Sequence, residues 1–294
     1  SREPMQRAEY KKTSIWGLNV RYVDTGQAGD GPVVVLLHGL ADSLLSWYCN
    51  FDFLSDAGYR VIAPDLPGFG ESEKPSHLEY DPGSTADFVY DFCQKLGIEK
   101  LSLMGNSVGG LIAELFALEH PDDVEKLVLV DSGGFGRKVS WLLRVISVPV
   151  LGDFIFQPKL NSMTGLSKRL FYKPPAVLED LLPEMDRLKL LPGARMATLK
   201  SIRVSINLLG LRQQWHILDR LKLSDVPLLV VWGANDVVIP VSHAKIASQE
   251  LPRCNMQVIP ECGHWPQMEK SSVFNPIITQ FLSSATTEPG QSKP

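Results

Sequence analysis

The chain has 294 residues, of which 44% are hydrophobic and 21% are charged, and this is the composition of an ordinary globular protein. The formal net charge is −4, from 29 basic and 33 acidic side chains, and no block of like charges concentrates either sign. These values exclude wholesale disorder, a collagen and a coiled coil, and they provide no basic stripe for a nucleic acid. The longest apolar stretch, residues 141–156, is interrupted by charged residues and a proline, so no membrane span is expected.

Buried strands and amphipathic helices alternate along most of the chain. Short apolar runs bounded by turn residues predict strands over 19–24, 33–37, 59–63, 101–104, 126–130, 228–232 and 256–259. The helical spacing of apolar residues predicts helices over 85–96, 108–119, 242–251 and 272–282. This alternation predicts an α/β protein with a parallel sheet, whereas the first dozen residues and the tail from Ser283 are expected to be frayed ends.

The alternation stops between about residues 133 and 223. This stretch shows helical apolar spacing and several prolines but no convincing buried strand. An interruption of this length is better explained by an inserted helical subdomain than by a loop. The sequence therefore predicts one α/β core, formed by residues 1–132 and 224–294, and a helical cap, or lid, formed by residues 133–223.

The sequence Gly-Asn-Ser-Val-Gly-Gly at residues 105–110 stands between a predicted strand and a predicted helix. A G-x-S-x-G turn at that place needs glycines because the chain reverses tightly, and the strained turn lifts the serine hydroxyl above the sheet. The glycine spacing matches neither a dinucleotide-binding fingerprint nor a phosphate-binding loop with its lysine. The pattern favours Ser107 as a nucleophile, and the alternative is a structural turn with an idle serine.

A nucleophilic serine needs a base, and the base needs an acid that orients it. Among the six histidines, His264 is the best candidate, because it follows a predicted strand on a loop bounded by glycine and proline. Asp236 follows the predicted strand over 228–232 and is the favoured acid. Asp131, at the end of another predicted strand, is a competitor that can also reach the histidine.

The other histidines and one more aspartate have structural explanations. His38 is flanked by Gly39 and is interpreted as structural, and Asp65 stands between prolines and is interpreted as a turn residue. The remaining histidines lie in predicted helix flanks or polar loops, where a solvated or capping role is expected. They are His77, His120, His216 and His243.

The four cysteines form no C-x-x-C pair and no metal-type spacing with histidine, a pattern that speaks against a zinc site. Buried free thiols in a reducing compartment are expected, with a bridge between Cys254 and Cys262 as the less favoured alternative. This usage favours a cytoplasmic location. Because the chain begins with Ser1, a leader that has been removed is an open alternative.

Five motifs resemble those of one enzyme family. They are LLHG at 36–39, APDLPGFGES at 63–72, GNSVGG at 105–110, WGANDVVIP at 232–240 and CGHW at 262–265. The chain order serine, aspartate, histidine is also the order found in the α/β-hydrolases. The sequence thus resembles a cap-bearing α/β-hydrolase. Within that family, GNSVGG and CGHWPQME are most similar to the meta-cleavage-product hydrolases, which break carbon–carbon bonds, and to related carboxylesterases.

The resemblance implies a mostly parallel central sheet flanked by helices, with an inserted helical cap. It implies Ser107 as the nucleophile, His264 as the base and Asp236 as its partner, with neither a metal nor an organic cofactor. The backbone amides of Leu40 and Val108 would form the oxyanion hole.

Two side chains would contact the substrate if the resemblance extends to the pocket. Trp265 matches the aromatic residue that follows the histidine in the carbon–carbon hydrolases and would line the pocket, and the alternative is an ordinary packing tryptophan. Arg187 is a loose match to the cap arginine that holds the substrate carboxylate in those enzymes. The alternative for Arg187 is a solvated helix residue.

Two departures from the carbon–carbon hydrolases favour an ester as the substrate. Those enzymes carry glycine-proline-glycine where this chain has Leu40-Ala41-Asp42, and Arg187 matches their arginine only loosely. The expected function is therefore a serine carboxylesterase that forms an acyl-enzyme on Ser107 from a small-molecule ester with an apolar acyl or alcohol part. The alternatives are carbon–carbon bond hydrolysis, a hydrolase-fold ligand receptor and a cofactor-free oxygenase, and the oligomeric state is left open.

Overall fold

The computed structural model describes residues 9–26, 31–157, 162–251 and 253–284. Its strands are β1 (Glu9–Ile15), β2 (Leu18–Asp24), β3 (Val33–Leu37), β4 (Arg60–Pro64), β5 (Leu101–Asn106), β6 (Val124–Val130), β7 (Ile206–Asn207), β8 (Gly210–Leu211), β9 (Leu228–Gly233) and β10 (Cys254–Ile259). Eight strands form one sheet in the order β1-β2-β4-β3-β5-β6-β9-β10, and β7 pairs with β8. The pairs β1–β2 and β2–β4 are antiparallel, and all pairs from β4 to β10 are parallel.

Helices cover both faces of this sheet. In the described ranges they are α1 (Phe51–Asp56), α2 (Pro82–Lys95), α3 (Val108–Glu119), α4 (Trp141–Ile146), α5 (Leu151–Ile155), α6 (Met163–Leu170), α7 (Val177–Lys189), α8 (Ala194–Ser205), α9 (Leu218–Leu221), α10 (Ser242–Glu250), α11 (Pro266–Glu269) and α12 (Ser271–Ser283). None of these helices has the length and apolarity that a bilayer crossing requires.

Alternate side chains of the central strands enter two separate hydrophobic layers. In β3, Val35 and Leu37 pack in a layer with α2 and α3, whereas Val34 and Leu36 pack in a layer with α1 and α12. A strand buried on both faces needs apolar residues at every position. This requirement explains why β3 is an uninterrupted apolar run in the sequence.

The stretch between β6 and β9 contains α4 to α9 and the short β7–β8 hairpin. Ile146, Leu199, Ile202 and Ile206 form a small hydrophobic cluster there, which joins α4, α8 and β7. An inserted helical region is therefore present where the strand–helix alternation stops in the sequence. The assignment of residues 133–223 as a separate cap stays a proposal.

The predicted α/β class with a mostly parallel sheet is confirmed, and one expectation about the chain ends is wrong. The first dozen residues do not fray from residue 9 onward, because β1 pairs with β2 along its seven residues. The turn between them is held by Trp16, which packs edge-on against Phe88 and donates a hydrogen bond to Asp91 at 2.6 Å. At the other end α12 reaches Ser283, and the tail from residue 285 lies outside the described residues.

The four cysteines are free thiols in the structure. Cys93 and Cys262 are buried, whereas Cys49 and Cys254 are partly exposed. The less favoured bridge between Cys254 and Cys262 is therefore absent.

Candidate active site

Ser107 stands at the turn between β5 and α3. Its backbone has φ 58° and ψ −120°, and such a conformation costs about 1–3 kcal/mol for a residue with a side chain. Neighbouring segments hold the turn. The Ser107 amide donates to the carbonyl of Val130 at 2.9 Å, and the Ser107 carbonyl accepts from the amide of Gly133 at 3.1 Å. The surrounding structure therefore maintains the strained backbone of Ser107.

Close packing of this turn explains two of its glycines. A Cβ atom on Gly105 would lie 2.1 Å from the carbonyl oxygen of Gly109. A Cβ atom on Gly109 would lie 2.4 Å from the carbonyl oxygens of Leu37 and His38. Both distances are far inside van der Waals contact with backbone atoms, so only glycine fits at these positions.

His264, on the loop after β10, contacts Asp236, on the loop after β9. The distance between His264 Nδ1 and Asp236 Oδ2 is 2.7 Å, and both side chains are buried. The other oxygen of Asp236 accepts hydrogen bonds from the amides of Val238 at 2.7 Å and Ile239 at 3.1 Å. These contacts fix the carboxylate and favour the tautomer with the proton on Nδ1. Nε2 then offers a lone pair, as a general base requires.

Asn106 connects the loop of His264 to the turn that carries Ser107. Its Nδ2 donates to the carbonyls of His264 and Val130, each at 3.1 Å. On the other side, the His264 amide donates to the carbonyl of Leu170 in α6 at 2.7 Å. Sequence reasoning missed this role of Asn106, although its place directly before Ser107 was a signal that it lies between the two loops.

The loop after β3 carries the amide of Leu40, and His38 anchors that loop. The Leu66 amide donates to His38 Nε2 at 2.9 Å, so Nδ1 carries the proton and donates to the carbonyl of Gly39 at 2.8 Å. Burial lowers the pKa of His38, which keeps the ring neutral. Within the described residues, no hydrogen-bond acceptor is assigned to the amides of Leu40 and Val108. Both amides are therefore free to bind an oxyanion.

Asp131, the competing acid, lies beside the other two groups. Its Oδ1 accepts a hydrogen bond from the amide of Gly233 at 2.9 Å. One oxygen of Asp131, one oxygen of Asp236 and one ring nitrogen of His264 lie within 4.8 Å of one another. These are the side chains that could hold a metal ion in the described part of the chain. We interpret them as an acid–base group, because Asp236 and His264 are in hydrogen-bond contact.

A cavity of about 190 Å³ borders Ser107 and His264. Leu40, Val108 and Trp265 line the same cavity, so the structure brings these sequence-predicted residues together. Most of the remaining lining is apolar, and most of it comes from the inserted region between β6 and β9. Examples are Leu142, Leu143, Ile146, Leu166, Leu170 and Ile202. Apolar walls of this kind keep water away from the reacting groups.

Two cations of the inserted helices also border the cavity, Lys189 at the end of α7 and Arg169 in α6. Burial lowers the pKa of Lys189 to about 8, although the negative charges of Asp42 and Asp186 act to raise it. Burial also raises the pKa of Asp42, which follows the cavity-lining residue Ala41 in the chain, to about 7. At neutral pH the cavity therefore presents a lysine that is still charged.

The expectation that Arg187 contacts the substrate requires a correction. Arg187 is absent from the cavity lining of the described residues. Its side chain is 46% exposed and forms ion pairs with Glu184 and Glu71. Residues two positions apart are rotated by about 200° around the helix axis, so they lie on nearly opposite faces of the helix. Helix α7 therefore turns Lys189 toward the cavity and Arg187 toward solvent.

His243 borders the cavity as well, so the expected solvated or capping role is wrong. The residue is 2% exposed, and burial lowers its pKa to about 4. Its Nδ1 has no hydrogen-bond partner in the described part of the chain. A signal was present in the spacing of α10, where His243, Ala244 and Ala247 share the buried face.

Comparisons with known proteins agree with this fold. The chain is 30% identical to a 2-hydroxy-6-oxononadienedioate/2-hydroxy-6-oxononatrienedioate hydrolase of Comamonas testosteroni, over 91% of this chain and 93% of that protein. It is 26% identical to the structure of a meta-cleavage product hydrolase from Pseudomonas fluorescens, with a TM-score of 0.78 over 92% of this chain and 97% of that one. A structure of a membrane phospholipase A, a bacterial virulence factor, is 27% identical, with a TM-score of 0.76 over 94% of this chain and 86% of that one.

The family resemblance of the sequence motifs is thereby confirmed. The model of the alpha/beta hydrolase fold matches residues 32–271, and this range includes all five motifs. The chain belongs to the α/β-hydrolase family.

Proposed function

We propose that the chain is a serine hydrolase that cleaves a carbon–carbon bond beside a ketone in a substrate that carries a carboxylate. The observation that carries this proposal is one apolar cavity bordered by Ser107, His264 and Lys189, with Asp236 hydrogen-bonded to His264 behind it. The relative at 30% identity, named for hydrolysis of a hydroxy-oxo-dienedioate, supports this choice of bond. It weighs against the carboxylic ester that the sequence alone favours.

The proposed reaction begins with the substrate in its 2-oxo tautomer. The Ser107 hydroxyl then attacks the 6-oxo ketone, which lies beside the carbon–carbon bond that breaks. His264 takes the serine proton, and the amides of Leu40 and Val108 bind the oxyanion, one such donor being worth ~3 to 4 kcal/mol. The carbon–carbon bond then breaks. Its electron pair passes into the conjugated keto acid, and the proton on His264 moves to that fragment. Water, with His264 again as the base, releases the second fragment from Ser107 as a carboxylic acid.

The charge of the cavity fits an anionic substrate. A carboxylate that leaves water needs a charged or hydrogen-bonding partner. Lys189 and Arg169 are the cations that line the cavity in the described ranges. A dicarboxylate chain could therefore place its acid groups near these cations while its unsaturated carbons contact Trp265 and the apolar walls.

Hydrolysis of 2-hydroxy-6-oxononadienedioate by the purified protein tests the proposal. Loss of the conjugated chromophore is followed by absorbance, and the two acid products are identified by mass spectrometry. Ser107→Ala is expected to lower kcat by about 10⁴-fold or more. Ser132→Ala is the matched control, because Ser132 is a buried serine that bonds Glu114. Unchanged turnover in a folded Ser107→Ala protein would sink the nucleophile assignment.

A carboxylic ester is the second candidate, because the loop after His38 and Gly39 departs from the carbon–carbon hydrolases. An ester would use the same nucleophile, base and oxyanion donors and would need no cation in the cavity. The similarity to a membrane phospholipase A also supports it. A parallel assay with p-nitrophenyl butyrate separates the two candidates. A kcat/KM for this ester more than about tenfold above that for the dienedioate would place the ester first.

A further inference from the structure

Asp131 places a second carboxyl group beside the acid that orients His264. The residue is completely buried at the end of β6. Its Oδ1 accepts one hydrogen bond, from the amide of Gly233, and its buried Oδ2 has no hydrogen-bond partner in the described part of the chain. An ionised oxygen in such a place is strongly unfavourable. The Asp131 carboxyl therefore needs a role other than that of a simple anion.

Asp236 is better suited than Asp131 to carry a negative charge. Its oxygens accept hydrogen bonds from the His264 ring and from the amides of Val238 and Ile239. Asp131 accepts from the single amide of Gly233. Each donor to a carboxylate favours its ionised form, so the charge of the pair belongs on Asp236.

The two carboxyl groups are too close for two charges. One oxygen of each lies within 4.8 Å of the other, and buried groups at this separation titrate as a coupled pair. Burial and then the negative charge of Asp236 raise the pKa of Asp131 well above its usual value, and Glu269 acts in the same direction. Burial, and then the negative charges of Glu269 and Asp131, raise the pKa of the Cys262 thiol. A proton on Asp131 Oδ2 gives that oxygen a hydrogen to donate to Asp236.

We propose that Asp131 and Asp236 share one negative charge. Asp131 is a positioning residue that donates a hydrogen bond to Asp236 and takes over the charge facing His264 when Asp236 is neutral. This inference rests on the proposed serine-hydrolase function. Asp131 has φ 45°, a backbone conformation that asparagine also adopts. Asp131→Asn therefore keeps both the backbone and a hydrogen-bond donor.

The rate at which a fluorophosphonate labels Ser107 tests the shared charge without the natural substrate. Labelling is followed by intact mass between pH 5 and 9. Asp131→Asn is expected to react within about twofold of the wild-type rate. Its rate is also expected to fall on acidification at the same pH as that of wild type (the acid limb of the pH–rate profile), because one charge still faces His264. Asp236→Asn is expected to react more slowly, with its acid limb at lower pH, because the charge moves to Asp131. The double variant is expected to lose at least about another tenfold.

Two results would overturn the shared charge. An acid limb of Asp131→Asn that moves as far as that of Asp236→Asn would mean that Asp131 is itself ionised. Equal rates for Asp236→Asn and the double variant would mean that Asp131 never takes the charge. Ser132→Ala, which alters the neighbouring buried residue, is expected to leave the profile unchanged. Thermal unfolding checks each variant, and the comparison of Asp131→Asn with Asp236→Asn decides if the double variant does not fold.

The same measurement keeps this inference apart from the proposed substrate. If the expected order of labelling rates is found while 2-hydroxy-6-oxononadienedioate is not hydrolysed, the substrate proposal is wrong and the shared charge stands.

Discussion

At the scale of single residues, the proposal of an anionic substrate depends most on Lys189. It lines the cavity from the end of α7, and burial lowers its pKa to about 8. A lysine with a lowered pKa loses its charge as the pH rises through that value. Binding of an anionic substrate is therefore expected to weaken above about pH 8, whereas hydrolysis of a neutral ester is not.

Replacement of Lys189 by methionine tests this recognition. Lys189→Met is expected to raise KM for the dienedioate by about 10- to 100-fold, with little change for p-nitrophenyl butyrate. Arg187→Met is the matched control on the same helix, because its ion pairs with Glu184 and Glu71 are exposed and such pairs contribute little. Steady-state kinetics between pH 6 and 9 provide the measurement. Equal effects of the two substitutions would contradict a role of Lys189 in binding.

Three features of the site differ in how well the sequence predicts them. The turn at Ser107 is predictable because the contacts that require its glycines lie within the turn and at the end of the adjacent strand β3. The choice between Asp131 and Asp236 is harder, because both follow strands that end at the same edge of the sheet. Arg187 is misplaced because a motif gives a position in the chain and not the face of the helix.

At the scale of elements, α3 carries a carboxyl group on its buried face. Glu114 is completely buried, and its Oε1 accepts a hydrogen bond from the hydroxyl of Ser132 at 2.7 Å. Burial raises the pKa of Glu114 well above its usual value. The unfolded chain ionises this group above about pH 4.3, and the folded chain does not. Keeping this proton therefore lowers the free energy of unfolding by ~1.4 kcal/mol for each pH unit, until the pH reaches the pKa of the folded state.

Glu114→Gln is expected to remove this loss of stability. Relative to wild type, its free energy of unfolding should rise between pH 4 and pH 8 by at least about 1 kcal/mol, since glutamine does not titrate. The difference at pH 4 reports any change in contacts and is subtracted. Glu119→Gln, in the same helix, is the control, because the Glu119 side chain is 56% exposed. Urea unfolding at each pH measures the effect, and a difference that stays constant with pH would rule it out.

The strands differ in how well the sequence predicts them, and burial explains the difference. Strand β3 occupies the predicted residues 33–37, because all its positions are apolar and both faces are covered by helices. Strand β1 is missed because it lies at the edge of the sheet, where Glu9, Lys11 and Lys12 are compatible with solvent. Edge strands tolerate charge, so periodicity alone does not reveal them.

At the scale of the whole molecule, the inserted helices and the sheet share the cavity. The amide of His264, on the loop after β10, donates a hydrogen bond to the carbonyl of Leu170 in α6, so the inserted helices also hold the loop of His264. The sequence reveals the insertion because the alternation of strands and helices stops. It does not reveal which helix faces point inward, since Leu142 and Leu143 line the cavity while Trp141 beside them is 66% exposed.

Two buried histidines make the whole fold sensitive to acid. Burial lowers the pKa of His38, and it lowers that of His243 to about 4. In the unfolded chain, both rings take up a proton near pH ~6.5. Their contribution to stability is therefore complete above that pH and is lost as the pH falls toward the folded pKa, by ~1.4 kcal/mol per unit and per ring. Glu114 acts in the opposite direction, so wild type must be compared with a variant.

His243→Phe isolates one of these rings. Phenylalanine keeps an aromatic ring near Trp232, whose centroid lies 6.2 Å from that of His243, and it takes up no proton. At pH 8 both proteins are neutral at this position, so their difference in unfolding free energy reports the changes in packing and hydrogen bonding and is subtracted. Between pH 8 and pH 5, wild type is expected to lose about 2 kcal/mol more than the variant, because only its unfolded chain gains a proton at residue 243. A difference that does not change over this range would mean that His243 is protonated in the folded protein.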